Sequence, residues 1–153
     1  MPCYRVGAEA LINAPAGLAY AIIADYRDGH PRILPRPPFV SLDVEQGGTG
    51  AGTVIRCQIR MFGRTQTFRA EITEPDPGRV LVETDLDTGV VTTFTVEPVG
   101  DGARVTIGTD IEGHGGLLGR VERFFVTRLL QPVYAREIEQ LGAVASERAK
   151  NHG

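Results

Sequence analysis

The sequence contains no tryptophan and carries little net charge. Its 153 residues have a formal charge of −3 at neutral pH, and the pI is about 5.6. This balance argues against a general nucleic-acid binder, which needs a basic field to neutralise phosphates. No apolar stretch approaches the roughly 18 residues of a membrane span, and no basic segment followed by an apolar run marks a secretory signal. We therefore expect a cytoplasmic protein with no nucleic-acid partner and no stable membrane insertion.

The sequence also has few cysteines and histidines. Cys3 and Cys57 are its two cysteines, and without an export signal they are expected to be free thiols in a reducing compartment. The histidines His30, His114 and His152 are scattered, and the cysteines are not spaced as zinc ligands. We expect no metal site and no cofactor.

The first forty residues predict one strand and two short helices. Apolar and small residues alternate from Tyr4 to Ile12, which is the two-residue period of a half-buried strand. Pro15 suits the first turn of a helix that we place at residues 16–24. Residues 25–38 include four prolines and a glycine, so this segment holds at most one more short helix before an ordered loop.

The middle of the chain predicts an antiparallel meander. Six runs of alternating residues are separated by turns rich in glycine, proline and aspartate. The predicted strands are Phe39–Gln46, Thr53–Met61, Thr65–Glu74, Arg79–Leu86, Val90–Val99 and Ala103–Glu112. Most of these runs are apolar on one face and polar on the other, so the sheet has one dry face that another element must cover.

The end of the chain predicts one long amphipathic helix, from Leu117 to about Lys150, with a kink at Pro132. Its apolar stripe is read as Leu118, Val121, Phe125, Leu129, Val133, Leu141 and Val144. This stripe is the only long one available to cover the sheet. A twisted sheet curves away from a straight helix, and the inward residues here are small, so we expect a cavity between the two. A fully packed core is the alternative.

Four segments carry a resemblance to a known group of proteins. They are INAP at 12–15, DYRDGHPRILP at 25–35, EQGGTGAGT at 45–53 and EPDPGR at 74–79. With the order of elements, they resemble the START (SRPBCC) superfamily, and the pattern is most similar to the bacterial polyketide cyclase/dehydrase family. The resemblance implies an α+β helix-grip fold, in which a curved seven-stranded antiparallel sheet wraps around the long C-terminal helix and two short helices follow the first strand. Residues 1–153 would then form a single START-like ligand-binding domain.

The resemblance also implies a cavity lined by the concave sheet face and the inner side of the long helix. The lining residues would be Ile55, Cys57, Ile59, Met61, Phe68, Ile72, Thr92, Phe94, Val105, Ile107, Phe125, Leu129 and Val133. Such walls are nearly all apolar, with Thr92, Thr109 and Cys57 as the only mild polar features.

Three residues are candidates for catalytic chemistry. His30 and Tyr26 lie near the expected entrance and could act as acid or base, although a loop histidine that bonds to the backbone explains His30 as well. Arg56 could stabilise an oxyanion if it pointed inward. Its strand register instead favours the outer face, where it would alternate with other charged residues, including Glu83, in cross-strand ion pairs.

These features support two main hypotheses. The first is binding or carriage of a small hydrophobic ligand such as a lipid, an isoprenoid or an aromatic polyketide-like molecule. The second is a polyketide cyclase or dehydratase that acts on such a ligand. A protein-interaction module is a further alternative, and the protein could be a monomer or a dimer.

Overall fold

The computed structural model describes residues 3–151, which form seven strands and three helices. The strands are β1 (Cys3–Ile12), β2 (Phe39–Gln46), β3 (Val54–Met61), β4 (Arg64–Asp76), β5 (Val80–Asp85), β6 (Val91–Val99) and β7 (Gly102–Glu112). The helices are α1 (Ala16–Ala24), α2 (Gly29–Ile33) and α3 (Gly116–Asn151). Each predicted boundary lies within about two residues of the observed one, which is the usual uncertainty of such boundaries. Among these residues, no helix combines the length and apolar character needed to cross a membrane.

The strands form one antiparallel sheet in the order β1-β7-β6-β5-β4-β3-β2. Strands β2 to β7 follow one another as a meander, and β1 closes the far edge by pairing along β7, from Cys3 opposite Glu112 to Ile12 opposite Ala103. The two short helices connect β1 to β2, and α3 follows β7. The predicted helix-grip architecture is therefore confirmed.

Alternation along the strands creates the buried face of the sheet. Leu81 of β5 lies opposite Phe94 of β6, which lies opposite Ile107 of β7, and all three side chains are buried. The C-terminal half of α3 adds Ile138 and Leu141 to the same core. This packing ties the end of the helix to the sheet by apolar contact.

The junction between α1 and α2 is built by one aspartate. The carboxylate of Asp25 accepts hydrogen bonds from the backbone N–H groups of Arg27, Asp28 and Gly29, at 3.2, 3.3 and 3.2 Å. Its carbonyl oxygen also accepts the N–H of His30 at 2.7 Å. These bonds turn the chain sharply after α1, so His30, predicted to lie in a loop, is instead a buried residue of α2.

The face that α3 turns toward the sheet differs from the predicted stripe. Its buried residues are Glu137, Ile138, Leu141 and Ala145. Phe125 and Leu129 are exposed, because at about 100° per residue they lie roughly 160° and 120° around the helix from Leu141. The residues predicted as one stripe therefore lie on two sides of the helix, with Leu141 buried and Phe125 exposed. The helix is continuous through Pro132, and the kink stays a prediction.

The close approach of α2 to α1 predicts a test with two glycines. A Cβ at Gly29 would lie 2.6 Å from the carbonyl oxygen of Ile22 and 3.1 Å from its Cα, whereas a Cβ at Gly17 meets nothing within 4 Å. We expect Gly29→Ala to lower the free energy of unfolding by about 1–3 kcal/mol through overpacking. Gly17→Ala should raise it by up to about 1 kcal/mol through helix propensity. Urea unfolding measures both, and equal effects would contradict the packing described for Gly29.

Candidate functional site

A cavity of about 220 Å³ lies between the sheet and α3. Its walls come from α2 and the loop after it, from strands β2 to β7, and from the middle of α3. The apolar part of the lining is Leu34, Pro38, Phe39, Leu42, Ile55, Cys57, Ile59, Met61, Phe68, Ala70, Val90, Phe94, Leu130 and Val133. The polar part is His30, Glu83, Asp85, Thr92, Thr109, Tyr134 and Glu137.

The structure places the thirteen predicted lining residues in three groups. Those that line the cavity are Ile55, Cys57, Ile59, Met61, Phe68, Thr92, Phe94 and Val133. Ile72, Val105 and Ile107 are buried in the core beside it. Phe125 and Leu129 are exposed on the far side of α3, because of their angles around the helix given above, and their predicted place in the cavity is wrong.

One end of the cavity carries a cluster of ionisable groups. Nε2 of His30 lies 3.5 Å from Oε2 of Glu83 and 3.9 Å from Oε1 of Glu137. Tyr26 donates its hydroxyl to the same Glu83 oxygen at 2.6 Å, and its ring stacks on that of His30 with the centroids 4.3 Å apart. Phe94 meets the imidazole edge-on at 5.5 Å. We call His30, Glu83, Glu137 and Tyr26 the acid cluster.

The tautomer of His30 follows from its backbone contact. Nδ1 lies 2.7 Å from the carbonyl oxygen of Ile23, and a carbonyl only accepts, so Nδ1 carries the proton. The backbone bond considered for this histidine is therefore present. In the neutral ring, Nε2 is then a bare acceptor that faces the two carboxyl groups. Tyr26 does not line the cavity. It positions Glu83 through its hydroxyl and His30 through ring stacking.

Glu137 is the member of the acid cluster that is buried with an unpartnered oxygen. Its side chain is 2% exposed, and its Oε1 has no hydrogen-bond partner. Burial, together with the nearby charge of Glu83, raises the pKa of Glu137 well above its ordinary value. Burial and the same charge also raise the pKa of Tyr26, so its hydroxyl remains a donor. The favoured state is a neutral Glu137 next to a Glu83 that accepts from Tyr26.

A chain of hydroxyl groups lines another part of the cavity. Oγ1 of Thr92 lies 2.7 Å from Oγ1 of Thr109, which lies 2.5 Å from the hydroxyl of Tyr134. Burial raises the pKa of Tyr134 to about 12, so the phenol stays protonated. Each hydroxyl both donates and accepts, so the chain can reorient to suit either kind of ligand atom.

Two sequence-based predictions about polarity are wrong. The walls are not nearly all apolar, because two glutamates, an aspartate and a histidine face the cavity. Glu83 is not on the outer face, because β5 pairs it with Ile72 on one side and Thr92 on the other, which fixes it on the inner face with Leu81. Its side chain is only 14% exposed. The strand itself gave no clear signal, since valines occupy its opposite face.

The outward placement of Arg56 is confirmed. Arg56 is exposed in β3, between the buried residues Ile55 and Cys57, and does not line the cavity. Cys57 is a buried thiol, and burial raises its pKa to about 12, so the thiolate is disfavoured. His114 is exposed and contacts Glu122 at 2.5 Å, while His152 lies outside the described residues. Within residues 3–151, no group of three or more His, Cys, Asp or Glu side chains is placed to hold a metal ion.

Comparison with known proteins identifies the kind of fold. The family described as polyketide cyclase/dehydrase and lipid transport matches residues 4–146. The KanY protein, solved by NMR, is 28% identical, with a TM-score of 0.82 over 95% of this chain and 99% of that one. A search of curated proteins gave no match.

Two further solved structures share the fold at lower identity. The Zhui aromatase/cyclase from Streptomyces sp. R1128 is 18% identical, with a TM-score of 0.79 over 99% of both chains. A START superfamily protein from Mycobacterium smegmatis is 15% identical, with a TM-score of 0.72 over 94% of this chain and 97% of that one. These similarities show a START/polyketide cyclase-type fold.

The buried carboxyl predicts a particular pH dependence of stability. Folding raises the pKa of Glu137, so its stabilising contribution is complete below the ordinary value of 4.5 and is lost as the pH rises toward the folded pKa. Between pH 4.5 and the folded pKa, the unfolding free energy of wild type should therefore fall relative to that of Glu137→Gln. The slope should be at most about 1.4 kcal/mol per pH unit. Urea unfolding of both proteins at successive pH values gives the difference. If the stability of wild type relative to Glu137→Gln instead increased with pH, that result would contradict a neutral Glu137.

Proposed function

The chain belongs to the polyketide cyclase/dehydrase and lipid transport family, and on this basis we propose that it binds a small, mainly apolar molecule in the cavity, with one neutral polar group of the ligand against Glu137. The observation that carries the proposal is a cavity whose lining is apolar except at its polar groups, one of which is the buried carboxyl of Glu137 with an unpartnered oxygen. Folds of this type bind hydrophobic ligands.

The size and walls of the cavity support an apolar ligand. A dry apolar cavity of about 150 Å³ accommodates benzene, so about 220 Å³ admits a larger molecule. Phe68 and Phe94 from the sheet and Leu130 and Val133 from α3 provide most of the contact on the two sides. Burying a ligand among them removes apolar surface from water, which is the main source of affinity in such pockets.

The charges at the polar end support a neutral ligand group. A ligand carboxylate or phosphate would meet Glu83 and Asp85, and like charges in a poorly solvated space repel strongly. A hydroxyl or carbonyl oxygen instead suits the unpartnered Glu137, because a protonated carboxyl both donates and accepts. The hydroxyl chain that ends at Tyr134 offers a second neutral contact.

Filling the cavity tests the binding proposal. Ala70 is 2% exposed and lines the cavity, so Ala70→Leu should occupy ligand space without unfolding the protein. We expect the variant to bind the neutral fluorophore N-phenyl-1-naphthylamine at least about tenfold more weakly than wild type, as the contact area lost implies. Ala10→Leu, on an exposed position of β1, is the matched control and should bind as wild type does.

The same titration gives the outcomes that count against binding. If wild type did not bind the fluorophore, the proposal would be contradicted. The same conclusion would follow if Ala70→Leu bound it with wild-type affinity. Native mass spectrometry of the protein purified from its own host identifies the natural ligand by its mass.

The acid cluster favours acid–base chemistry as a second candidate function. Nε2 of His30 and the carboxylate of Glu83 are bases, and neutral Glu137 is an acid, all at one end of the cavity. A base and an acid on either side of a bound ketone are suited to moving a proton from the carbon next to the carbonyl. Cyclisation and dehydration of polyketide-type chains both begin with this step.

The proton balance of that step is simple. His30 or Glu83 takes the proton from the carbon, the electron pair of the broken C–H bond forms the enol double bond, and the carbonyl oxygen receives a hydrogen bond or a proton from Glu137. Reversal returns a proton to carbon. No oxidant or reductant is needed.

Deuterium exchange tests the step with a simple ketone. In heavy water, wild type should speed exchange at the α-carbon of α-tetralone, followed by NMR, and His30→Asn and Glu83→Gln should each slow it by about 10²–10⁴-fold. His114→Asn, at an exposed site, is the control. If α-tetralone displaces the fluorophore but exchanges no faster than in buffer, the site binds and does not catalyse.

A further inference from the structure

The N-terminal half of α3 has a second apolar face that no part of the described chain covers. Its exposed residues are Leu117, Leu118, Val121, Phe124, Phe125 and Leu129, which we call the outer stripe. Leu117 is 77% exposed and Phe125 is 63% exposed, so these side chains protrude into solvent. Isolated exposed apolar residues are ordinary, but a contiguous set of six on one helix marks an interaction surface.

The outer stripe is distinct from the cavity wall. At about 100° per residue its members fall within an arc of roughly 140°, centred about 160° from the residues of α3 that line the cavity. Those lining residues are Leu130, Val133, Tyr134 and Glu137. One half-helix therefore presents apolar side chains to the cavity on one side and to the exterior on the other.

A second exposed apolar group lies at the same end of the molecule. Phe62, at the tip of the β3–β4 hairpin, is 88% exposed and has a φ of 52°, a left-handed conformation that is costly for a large side chain. Met61 beside it and Leu130 of α3 line the same cavity, so the hairpin tip and the N-terminal half of α3 lie near one another. Within residues 3–151 the ring is therefore left almost entirely to solvent despite its strained backbone.

The charges around these residues are almost all positive. Arg60 and Arg64 flank Phe62, while Arg120, Arg123 and Arg128 lie along the helix, with the guanidinium of Arg128 5.6 Å from the ring centre of Phe124. Between residues 116 and 131 the one acidic residue is Glu122, and His114 contacts it. Arg123 instead lies on the opposite side of the helix, with its guanidinium 5.6 Å from the ring centre of Tyr4. A chain with a net charge of −3 thus concentrates four arginines, Arg60, Arg64, Arg120 and Arg128, beside its exposed apolar groups.

This pattern favours an anionic partner over a second copy of the chain. In a two-fold contact the stripe would face itself, so Arg120 and Arg128 would meet a surface that carries the same arginines. The one carboxylate of residues 116–131 is that of Glu122, which His114 already contacts. A bilayer suits two separate protrusions, since it deforms around them and needs no matching shape. Phenylalanine and leucine flanked by arginine is the composition of helices that lie in the membrane interface.

We propose that the outer stripe and the Phe62 tip dock this protein on the surface of an anionic lipid bilayer, with α3 lying along the interface. The side chains enter the headgroup region, and the arginines contact lipid phosphates. This mode of binding is peripheral, consistent with the absence of a membrane-crossing helix among residues 3–151. It does not depend on what the cavity holds.

Vesicle sedimentation tests the proposal. Wild type should bind phosphatidylcholine vesicles that contain about 30% phosphatidylglycerol, bind pure phosphatidylcholine far less, and dissociate as salt rises. Arg120→Gln and Arg128→Gln should each weaken binding about fivefold, the effect expected for one basic residue at a charged surface. Phe124→Ser with Phe125→Ser should weaken it by at least about tenfold. Leu11→Ser, with a side chain 64% exposed on β1, is the matched control and should bind as wild type does.

Two results would overturn the proposal, and sedimentation velocity on the same samples separates them. A wild-type dimer that becomes a monomer in the Phe124→Ser, Phe125→Ser variant, without vesicle binding, would assign the stripe to a second copy. A wild-type monomer that binds neither kind of vesicle would assign the outer stripe to a protein partner. Circular dichroism of each variant checks that these exposed substitutions leave the fold intact.

Discussion

The burial of two carboxyl groups at one end of the cavity is the constraint on which the rest of the structure depends. Two negative charges in that poorly solvated space would repel each other strongly. The protein avoids this by giving Glu83 the hydroxyl of Tyr26 and by favouring the protonated form of Glu137. Tyr26 and His30 reach the carboxyls because Asp25 turns the chain between α1 and α2. The geometry of the two short helices is thus tied to the chemistry of the site.

The fold was predictable from the sequence because its signals are local and repeated. Alternation along each strand and glycine or proline between strands determine where the strands begin and end, and the neighbours along the chain pair in order. The outward direction of Arg56 followed in the same way, since Ile55 and Cys57 on either side of it are apolar. Here a single strand contained enough contrast to identify its buried face.

The acid cluster was not predictable for the opposite reason. In β5 the inner face carries Leu81 with Glu83, while valines and a threonine occupy the outer face, so composition does not distinguish the two faces. Pairing with Ile72 and Thr92 decides the orientation, and that register arises only when the whole sheet forms. Glu137 was missed because a glutamate on a long helix is usually solvated, and only the packing of α2 and β5 around it makes it buried.

The two faces of α3 show why sequence proximity is a poor guide to function in this protein. Leu129 is exposed on the outer stripe, whereas its neighbour Leu130 lines the cavity. Ile138 and Leu141 hold the C-terminal half in the core. The N-terminal half carries apolar residues on two sides, one of which faces the cavity and the other the exterior. A substitution in this half therefore acts on the cavity or on the outer surface according to its angle around the helix. Effects on ligand binding and on surface docking are separable for that reason, even at adjacent positions.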